Sequence, residues 1–156
     1  MKENKTALMK ATDLLARQEQ SSNALRKKLL ARKFDATEVD EAIDKLQRYN
    51  YLDDEKICTR QFENLYAEGK LSVRQICVKL IQRGFDSSFV ESLIPEDNDE
   101  HEFDAAIRAL EKKFTPKIFD DAKENFKFKQ KLWQHLASKG FSGEIISTAI
   151  EKFFEQ

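Results

Sequence analysis

The residues best suited to chemistry in this chain are three pairs of basic side chains, and the two members of each pair stand four positions apart. The pairs are Lys28 and Arg32, Lys79 and Arg83, and His135 and Lys139. A spacing of four places both members on one edge of a helix. Three such helices could present six basic groups along one surface, which suits phosphates or the carboxylates of a protein partner. The alternative is that each pair belongs to the solvated face of an amphipathic helix.

Each pair precedes a phenylalanine that marks one copy of an internal repeat. The markers are Phe34, Phe85 and Phe141, at separations of 51 and 56 residues. Apolar residues stand nine and five places before each marker, and five and nine places after it. They are Leu25, Leu29, Val39 and Ile43; Ile76, Leu80, Val90 and Ile94; and Leu132, Leu136, Ile146 and Ile150. Spacing four predicts a helix, a tight turn at the phenylalanine and a second helix in every copy.

A third, leading helix is predicted in each copy from apolar residues at helical spacing near residues 7–18, 57–68 and 103–110. We therefore predict an all-α protein of three tandem three-helix repeats, with boundaries at 1–50, 51–94 and 95–156. Pro95 opens an acidic stretch that favours a helix break and a solvated linker between the last two repeats.

The turns at the marker phenylalanines carry recognisable capping residues. Asp35, Asp86 and Ser142 follow the markers and are predicted to cap the next helix. Glu38 lies three places after Asp35, which is close to a capping box. Gly84 and Gly140 precede two markers and tolerate a left-handed helix end. The first copy has Lys33 at that position, so either the turn there differs slightly or Lys33 adopts a strained conformation.

Composition narrows the class of protein. No apolar run is long enough to span a bilayer, so no membrane segment is expected. The net charge of −1 argues against a protein that coats nucleic acid in general. The chain is expected to be a cytoplasmic monomer. The opening residues lack the apolar core of a secretory signal. Cys58 and Cys77 are separated by 19 positions, with no CxxC motif, and are predicted to be buried, reduced thiols.

Catalytic and metal-binding motifs are missing from the sequence. It has no P-loop, GxGxxG or HExxH pattern, so we predict no catalytic residues, no metal, no cofactor and no enzymatic activity. His101 lies in the acidic stretch, where a solvated or capping role is expected. Asp53 and Asp54 are interpreted as a helix start. Trp133 is expected to pack in the core, with stacking on a nucleic-acid base as the alternative.

Charge is sorted by helix within the repeats. The second helix of each copy is basic, whereas the segment from Asp35 to Glu55 has eight acids and two basic residues. A helix-turn-helix reader of DNA inserts the helix that follows the turn into the major groove, and here that helix is acidic. An autonomous DNA-binding regulator and a plain helical scaffold nevertheless remain alternatives to a protein that binds a nucleoprotein filament.

The sequence resembles the RecX family of bacterial regulators of the RecA recombinase. The resemblance is carried by LLARQEQSSNALRKKLLARKFD, by the junction YLDDEK at residues 51–56, and by the repeated pattern of leucine, basic residue, glycine and phenylalanine. It implies a curved, elongated array of three three-helix repeats that lies in the groove of the RecA filament on DNA. It also implies restraint of ATP hydrolysis, strand exchange and co-protease activity, with a role in recombinational repair and the SOS response.

Overall fold

The computed structural model describes residues 4–155, and their regular secondary structure is entirely α-helical. In chain order the helices are α1 (Ala7–Arg17), α2 (Ser22–Ala31), α3 (Ala36–Arg48), α4 (Asp54–Glu68), α5 (Val73–Gln82), α6 (Ser87–Ser92), α7 (Asp99–Lys113), α8 (Ala122–Ser138) and α9 (Gly143–Phe154). The all-α class predicted from apolar spacing is therefore confirmed. None of the helices in this part of the chain is both long and apolar enough to cross a membrane.

The predicted N-caps form as expected. The side chains of Asp35, Asp86 and Ser142 each accept a hydrogen bond from a backbone amide two or three residues further on, which satisfies a donor that the helix leaves open. The capping box predicted at Glu38 is wrong. Its carboxylate instead accepts from the backbone amide of Ala7, at 2.9 Å, and so stabilises the start of α1.

Each marker phenylalanine completes the same helix-ending turn. The residue before it has a positive φ, which is 67° at Lys33, 96° at Gly84 and 88° at Gly140. The amide of each marker donates to the carbonyl five residues earlier, as in Phe34 to Leu29. These are Schellman turns, which place their left-handed residue one position beyond the helix cap. Of the two alternatives for Lys33, the structure therefore has the strained conformation.

The apolar positions of the repeat form the core. The six aliphatic residues that precede the markers are completely buried, and the first aliphatic residue after each marker is buried as well. The burial of the second aliphatic residue after each marker varies more. In the middle copy α6 ends at Ser92, so Ile94 lies beyond the helix and is half-buried. Cys58 and Cys77 are buried, as predicted.

The described chain divides into two compact units. The first contains the described residues up to Gln61 together with Lys79–Ser92, and the second contains Phe62–Val78 and the described residues from Leu93 onward. Helices α1, α2 and α3 pack pairwise in the first unit, and α7, α8 and α9 do so in the second. The middle repeat contributes residues to both units, and the boundaries at 1–50, 51–94 and 95–156 stay a prediction.

The acidic stretch after Pro95 is only partly a linker. The segment from residue 93 to 98 connects α6 to α7, but α7 already begins at Asp99. Glu102, in the middle of the acidic run, is buried. The predicted solvated linker therefore ends at Asn98.

Candidate functional site

Four of the six predicted basic residues lie in the first unit, and two of them line one cleft. Lys28 and Arg83 border a cavity of about 290 Å³, together with Gln61, Phe85 and parts of the segment 18–24. The guanidinium of Arg83 donates to the side-chain oxygen of Gln61 at 2.8 Å. The cleft is therefore lined by both polar and apolar groups, which include two cations and the carboxylate of Glu19.

The other two basic residues of the first unit point into solvent. Arg32 and Lys79 are exposed, and the guanidinium of Arg32 donates to the carbonyl of Lys28, one turn earlier in the same helix, at 3.0 Å. Across residues 4–155, no ion pair involves Lys28, Arg32, Lys79 or Arg83. These four cations therefore remain available to an anionic partner.

The third pair lies in the second unit and is less cationic than the sequence suggests. Burial lowers the pKa of His135, and the nearby charges of Lys139 and Lys113 lower it further. The His135 ring packs edge-on against Phe114, with 5.4 Å between the ring centroids. Because a histidine with a lowered pKa is neutral at neutral pH, His135 adds no charge there. Lys139 is the one cation of this pair.

The sequence analysis missed a set of hydrogen bonds that join one copy of the repeat to the next. Ser21 caps α2 and also donates through its hydroxyl to the carbonyl of Arg83 at 2.7 Å. Ser72 likewise caps α5, and its hydroxyl donates to the carbonyl of Lys139. Both serines precede their own marker by thirteen residues, and both are buried. The third copy has Phe128 at this position.

A second recurring contact pairs a helix start with a carboxylate. The first helical amide of α2, at Ser22, donates to Asp54 at 2.8 Å, and the first amide of α5, at Val73, donates to Glu102 at 2.7 Å. Negative charge is favourable at the amino end of a helix. Asp54 therefore does more than begin α4, while Asp53 caps that helix through the amide of Lys56.

Glu102 is held in a less polar environment than Asp54. Burial raises its pKa, whereas the hydrogen bond from Val73 and the proximity of His101 act in the opposite direction. A buried carboxylate is tolerated when its oxygen atoms are hydrogen-bonded. The carboxylate thus has a structural role at the start of α5.

A third recurring contact is made by an arginine that stands six residues after Asp54 in one copy and six residues after Glu102 in the next. Arg60 forms an ion pair with Glu19, just beyond the end of α1. Arg108 donates to the carbonyls of Glu68 and Gly69, at the end of α4. Both arginines thus reach the end of the leading helix in the preceding copy.

The left-handed glycines also belong to these junctions. A Cβ atom at Gly84 would lie 2.5 Å from the hydroxyl oxygen of Ser21, and one at Gly140 would lie 2.5 Å from the side chain of Arg74. These glycines therefore serve both the turn and the close approach of the preceding copy. Lys33 occupies the same position in the first copy, and its side chain is exposed. The open space around that side chain explains why a lysine is accommodated there.

The expectation that His101 is solvated is wrong. Its ring stacks on Tyr66 with 3.9 Å between centroids, and Nε2 donates to the carbonyl of Leu71 at 2.9 Å. The side chain is 7% exposed. Together with Asp97, Glu100 and Asp104, the two rings line a cavity of about 300 Å³. The described residues include no group of three or more His, Cys, Asp or Glu side chains placed to hold a metal ion.

The expectation that Trp133 is a core residue is also wrong. It is 41% exposed, and the outer edge of its ring lies against Gly143 at the start of α9. Its neighbour Leu132 is fully buried. The indole therefore lies at the solvent-exposed surface of the second unit.

Comparisons with known proteins agree with the helical repeat pattern. A family model described as the first three-helix domain of RecX matches residues 7–46, and one described as the third three-helix domain of RecX matches residues 99–150. Together they cover more than half of the 156 residues.

Sequence relatives extend the match along the chain. The regulatory protein RecX of Neisseria gonorrhoeae (strain NCCP11945) is 28% identical over 157 residues, which cover 100% of this chain and 96% of that protein. The regulatory protein RecX of Clostridium botulinum (strain Eklund 17B / Type B) is 28% identical, covering 96% of this chain and 71% of that protein. The crystal structure of RecX from Lactobacillus salivarius has the same fold, with a TM-score of 0.73, 18% identity and 96% coverage of both chains.

Proposed function

Because this chain belongs to the RecX family, we propose that it binds the RecA nucleoprotein filament and inhibits its ATPase, strand-exchange and co-protease activities. Through that inhibition it modulates recombinational DNA repair and the SOS response. Its relatives are named regulatory proteins, which supports a regulatory and non-enzymatic role. The finer statement rests on the resemblance together with the basic residues of the first unit.

The observation that best supports filament binding is the set of four cations in the first unit that form no ion pair with any described residue. Lys28 and Arg83 border one cleft, and Arg32 and Lys79 are exposed. The hydrogen bond from Ser21 to the carbonyl of Arg83 fixes the backbone position of that arginine. A preorganised cationic surface loses less conformational entropy on binding an anionic partner than a flexible one does. Acidic groups of a RecA protomer or phosphates of the filament DNA would both complement it.

An autonomous helix-turn-helix reader is the second candidate, and the arrangement of charge disfavours it. In the first copy, the helix that follows the turn is α3, which carries four acidic residues, namely Glu38, Asp40, Glu41 and Asp44. A recognition helix in the major groove is surrounded by phosphates, so this charge is unfavourable. The basic helix α2 precedes the turn.

The experiment is an assay of RecA ATPase on single-stranded DNA with a variant that replaces Lys28, Arg32, Lys79 and Arg83 by glutamine. None of the four lies in the core, so we expect the helical content to persist while inhibition is strongly weakened. A matched control replaces four other exposed cations, Arg17, Lys45, Lys56 and Lys70, by glutamine. This control should inhibit as well as the unmodified protein.

Salt dependence separates the two kinds of partner group. If the four cations bind DNA phosphates, the plot of log affinity against log salt should flatten by about 0.7 to 0.9 for each phosphate that is no longer neutralised. If they bind carboxylates of RecA, filament binding should fall while weak binding to naked DNA stays unchanged. Full inhibition by the fourfold variant would show that this surface is only solvated. The absence of inhibition by the unmodified protein would reject the proposed function itself.

A further inference from the structure

Helix α8 is longer than the two helices that correspond to it in the other copies. It has 17 residues, whereas α2 and α5 have 10 each. All three end at a marker turn, so the additional residues lie at the amino end of α8. The repeat pattern does not require this extension, and none of the contacts between copies described above uses it.

Two aromatic side chains are exposed on one face of α8. Phe126 is 68% exposed and Trp133 is 41% exposed. A separation of seven residues places both on the same face, about 10 Å apart along the helix axis. Phe128 points to the opposite face, where its ring packs edge-on against Phe114, Phe119 and Phe154. The aromatic residues of α8 are therefore divided between the core and an open surface.

A row of lysines runs beside the exposed rings. Lys123, Lys127 and Lys131 follow one another at spacing four, and all three side chains are exposed. Among the described residues, their one ion pair joins the ammonium of Lys127 to the carboxylate of Glu124, at 4.0 Å. An exposed pair at that separation contributes little and gives way to a better partner. The row can therefore bind a chain of negative charges.

Apart from the two rings, the described α8 exposes no large apolar side chain. Gln130 and Gln134 are exposed, and helical spacing places them on the same side of α8 as the rings and the lysines. An acidic peptide that docked through apolar side chains would require aliphatic residues around the rings. Flat rings with amides and lysines instead provide stacking surfaces next to phosphate-binding groups. The outer edge of the Trp133 ring lies close to Gly143, since a Cβ atom there would be 3.6 Å from it.

We propose that this face of α8, made up of Phe126, Trp133 and the lysine row, binds single-stranded nucleic acid. Bases stack on the two rings, and the three lysines bind the phosphates. Double-stranded DNA keeps its base faces inside the helix, so it offers these rings no stacking partner. The proposal does not depend on inhibition of RecA, because it concerns different residues and direct binding to the strand.

Trp133 is the only tryptophan in the chain, so its fluorescence reports directly on this face. Titration of the whole chain with a short oligothymidylate should quench the emission, and duplex DNA of the same length should quench it far less. Replacing Phe126 by alanine or by leucine should weaken binding by about fivefold to a hundredfold, since stacking contributes about 1–3 kcal/mol per base. Leucine keeps an apolar side chain but removes the ring plane.

The lysine row has its own readout. Replacing Lys123, Lys127 and Lys131 by glutamine should reduce the slope of log affinity against log salt by about 0.7 for each phosphate that is no longer neutralised. The matched control is the variant that replaces Arg17, Lys45, Lys56 and Lys70 by glutamine, which should retain both the quenching and the salt slope. This control separates the lysine row from a general loss of positive charge.

Several outcomes would overturn the proposal. Absence of quenching by the oligothymidylate with a folded protein would do so, as would unchanged affinity in both Phe126 variants. Equal or stronger quenching by polyglutamate would assign the face to acidic protein segments instead. Circular dichroism of each variant confirms the fold, and the exposure of the replaced side chains predicts that it is retained.

Discussion

Single residues in this chain often have two partners, and the buried serines illustrate it. Ser21 accepts a hydrogen bond from the amide of Ala24 and donates one to the carbonyl of Arg83. A hydroxyl can donate and accept at the same time, whereas a carboxylate at this position could only accept. Asp would cap α2 equally well but could not donate to this carbonyl. The hydroxyl of Ser21 therefore suits both the local cap and the second contact, which lies far away in the sequence.

The glycines before the markers allow a matched comparison of turn and junction. Replacing Gly84 by alanine should lower the free energy of unfolding by roughly 1–3 kcal/mol, because the left-handed backbone is strained by a side chain. The new Cβ would also press on Ser21 at a distance of 2.5 Å. Replacing Lys33 by glycine should change stability by less than about 1 kcal/mol, because relief of strain is offset by greater freedom of the unfolded chain. Urea denaturation followed by circular dichroism measures both.

The control for this comparison is replacement of Gly140 by alanine. It meets the same turn geometry and a different neighbour, Arg74, whose Cδ would lie 2.5 Å and whose Cβ 2.8 Å from the new Cβ atom. Because the Cβ atom of Arg74 cannot move aside, the change should cost about as much as the change at Gly84. Unchanged stability on replacing Gly84 by alanine would show that neither the turn nor the junction depends on glycine.

Predictions for single residues were confirmed where the nearby backbone determines the structure. They were wrong where packing against distant elements determines it. The caps at Asp35, Asp86 and Ser142 and the left-handed Lys33 depend on nearby backbone, so the sequence signals them directly. His101 and Trp133 were placed wrongly, because their exposure depends on which distant elements pack beside them. No local pattern contains that information.

At the scale of elements, the apolar spacing of four predicted the helices and their register. The positions nine and five residues before each marker are fully buried in all three copies. Helix α6 is shorter than the apolar spacing predicts, and the sequence shows the cause. A proline disfavours helical backbone in the residue before it, so Pro95 excludes Ile94 from the helix. Pro95 is predicted from the sequence to break the helix as well as to open a linker, and the end of α6 at Ser92 agrees with that break.

The register of α5 can be tested with two adjacent residues. Replacing Leu80 by alanine should cost roughly 2–5 kcal/mol, because Leu80 is completely buried and the change leaves a cavity. Replacing Lys79 by alanine should cost little, because its side chain is exposed and has no ion pair among the described residues. Thermal unfolding of the two variants provides the comparison. Equal melting temperatures would contradict the assigned register.

The candidate site was predicted only in part for a similar reason. Helical spacing identified six basic positions, and the exposure of Arg32, Lys79 and Arg83 agrees with a role at the surface. It did not indicate that His135 packs against Phe114, which lies outside its helix. It also passed over the amino end of α8, since the lysine row and Phe126 precede Leu132, the first aligned position of the third copy. A repeat pattern draws attention to what recurs, whereas the α8 extension occurs once.

At the scale of the whole molecule, the same junction is built twice with different residues. Ser21, Asp54 and Arg60 hold the first copy to the second within one unit, and Ser72, Glu102 and Arg108 hold the second copy to the third within the other. The middle copy therefore has a partner in each unit. In a repeat protein, stability is approximately the sum of repeat and interface contributions. The two junctions are such interfaces.

This arrangement predicts additive effects on stability. Replacing Ser21 by alanine should cost about 1–3 kcal/mol, since it removes a cap and leaves a carbonyl without its donor. Replacing Ser72 should cost a similar amount. The two serines share no partner, so the double variant should lose the sum to within about 0.5 kcal/mol. Urea denaturation followed by circular dichroism gives all three values.

Ser142 provides the control for the additive prediction, because it caps α9 through the amide of Ile145 and, within residues 4–155, its hydroxyl bonds to no other copy. Replacing Ser142 by alanine should lower the free energy of unfolding by about 1 kcal/mol, because only the cap is lost. If replacing Ser21 or Ser72 lowers the free energy of unfolding by no more than replacing Ser142 does, the hydrogen bonds between copies contribute nothing to stability. A double variant that loses clearly more or less than the sum would show that the two junctions are energetically coupled through the middle copy, which contributes residues to both units.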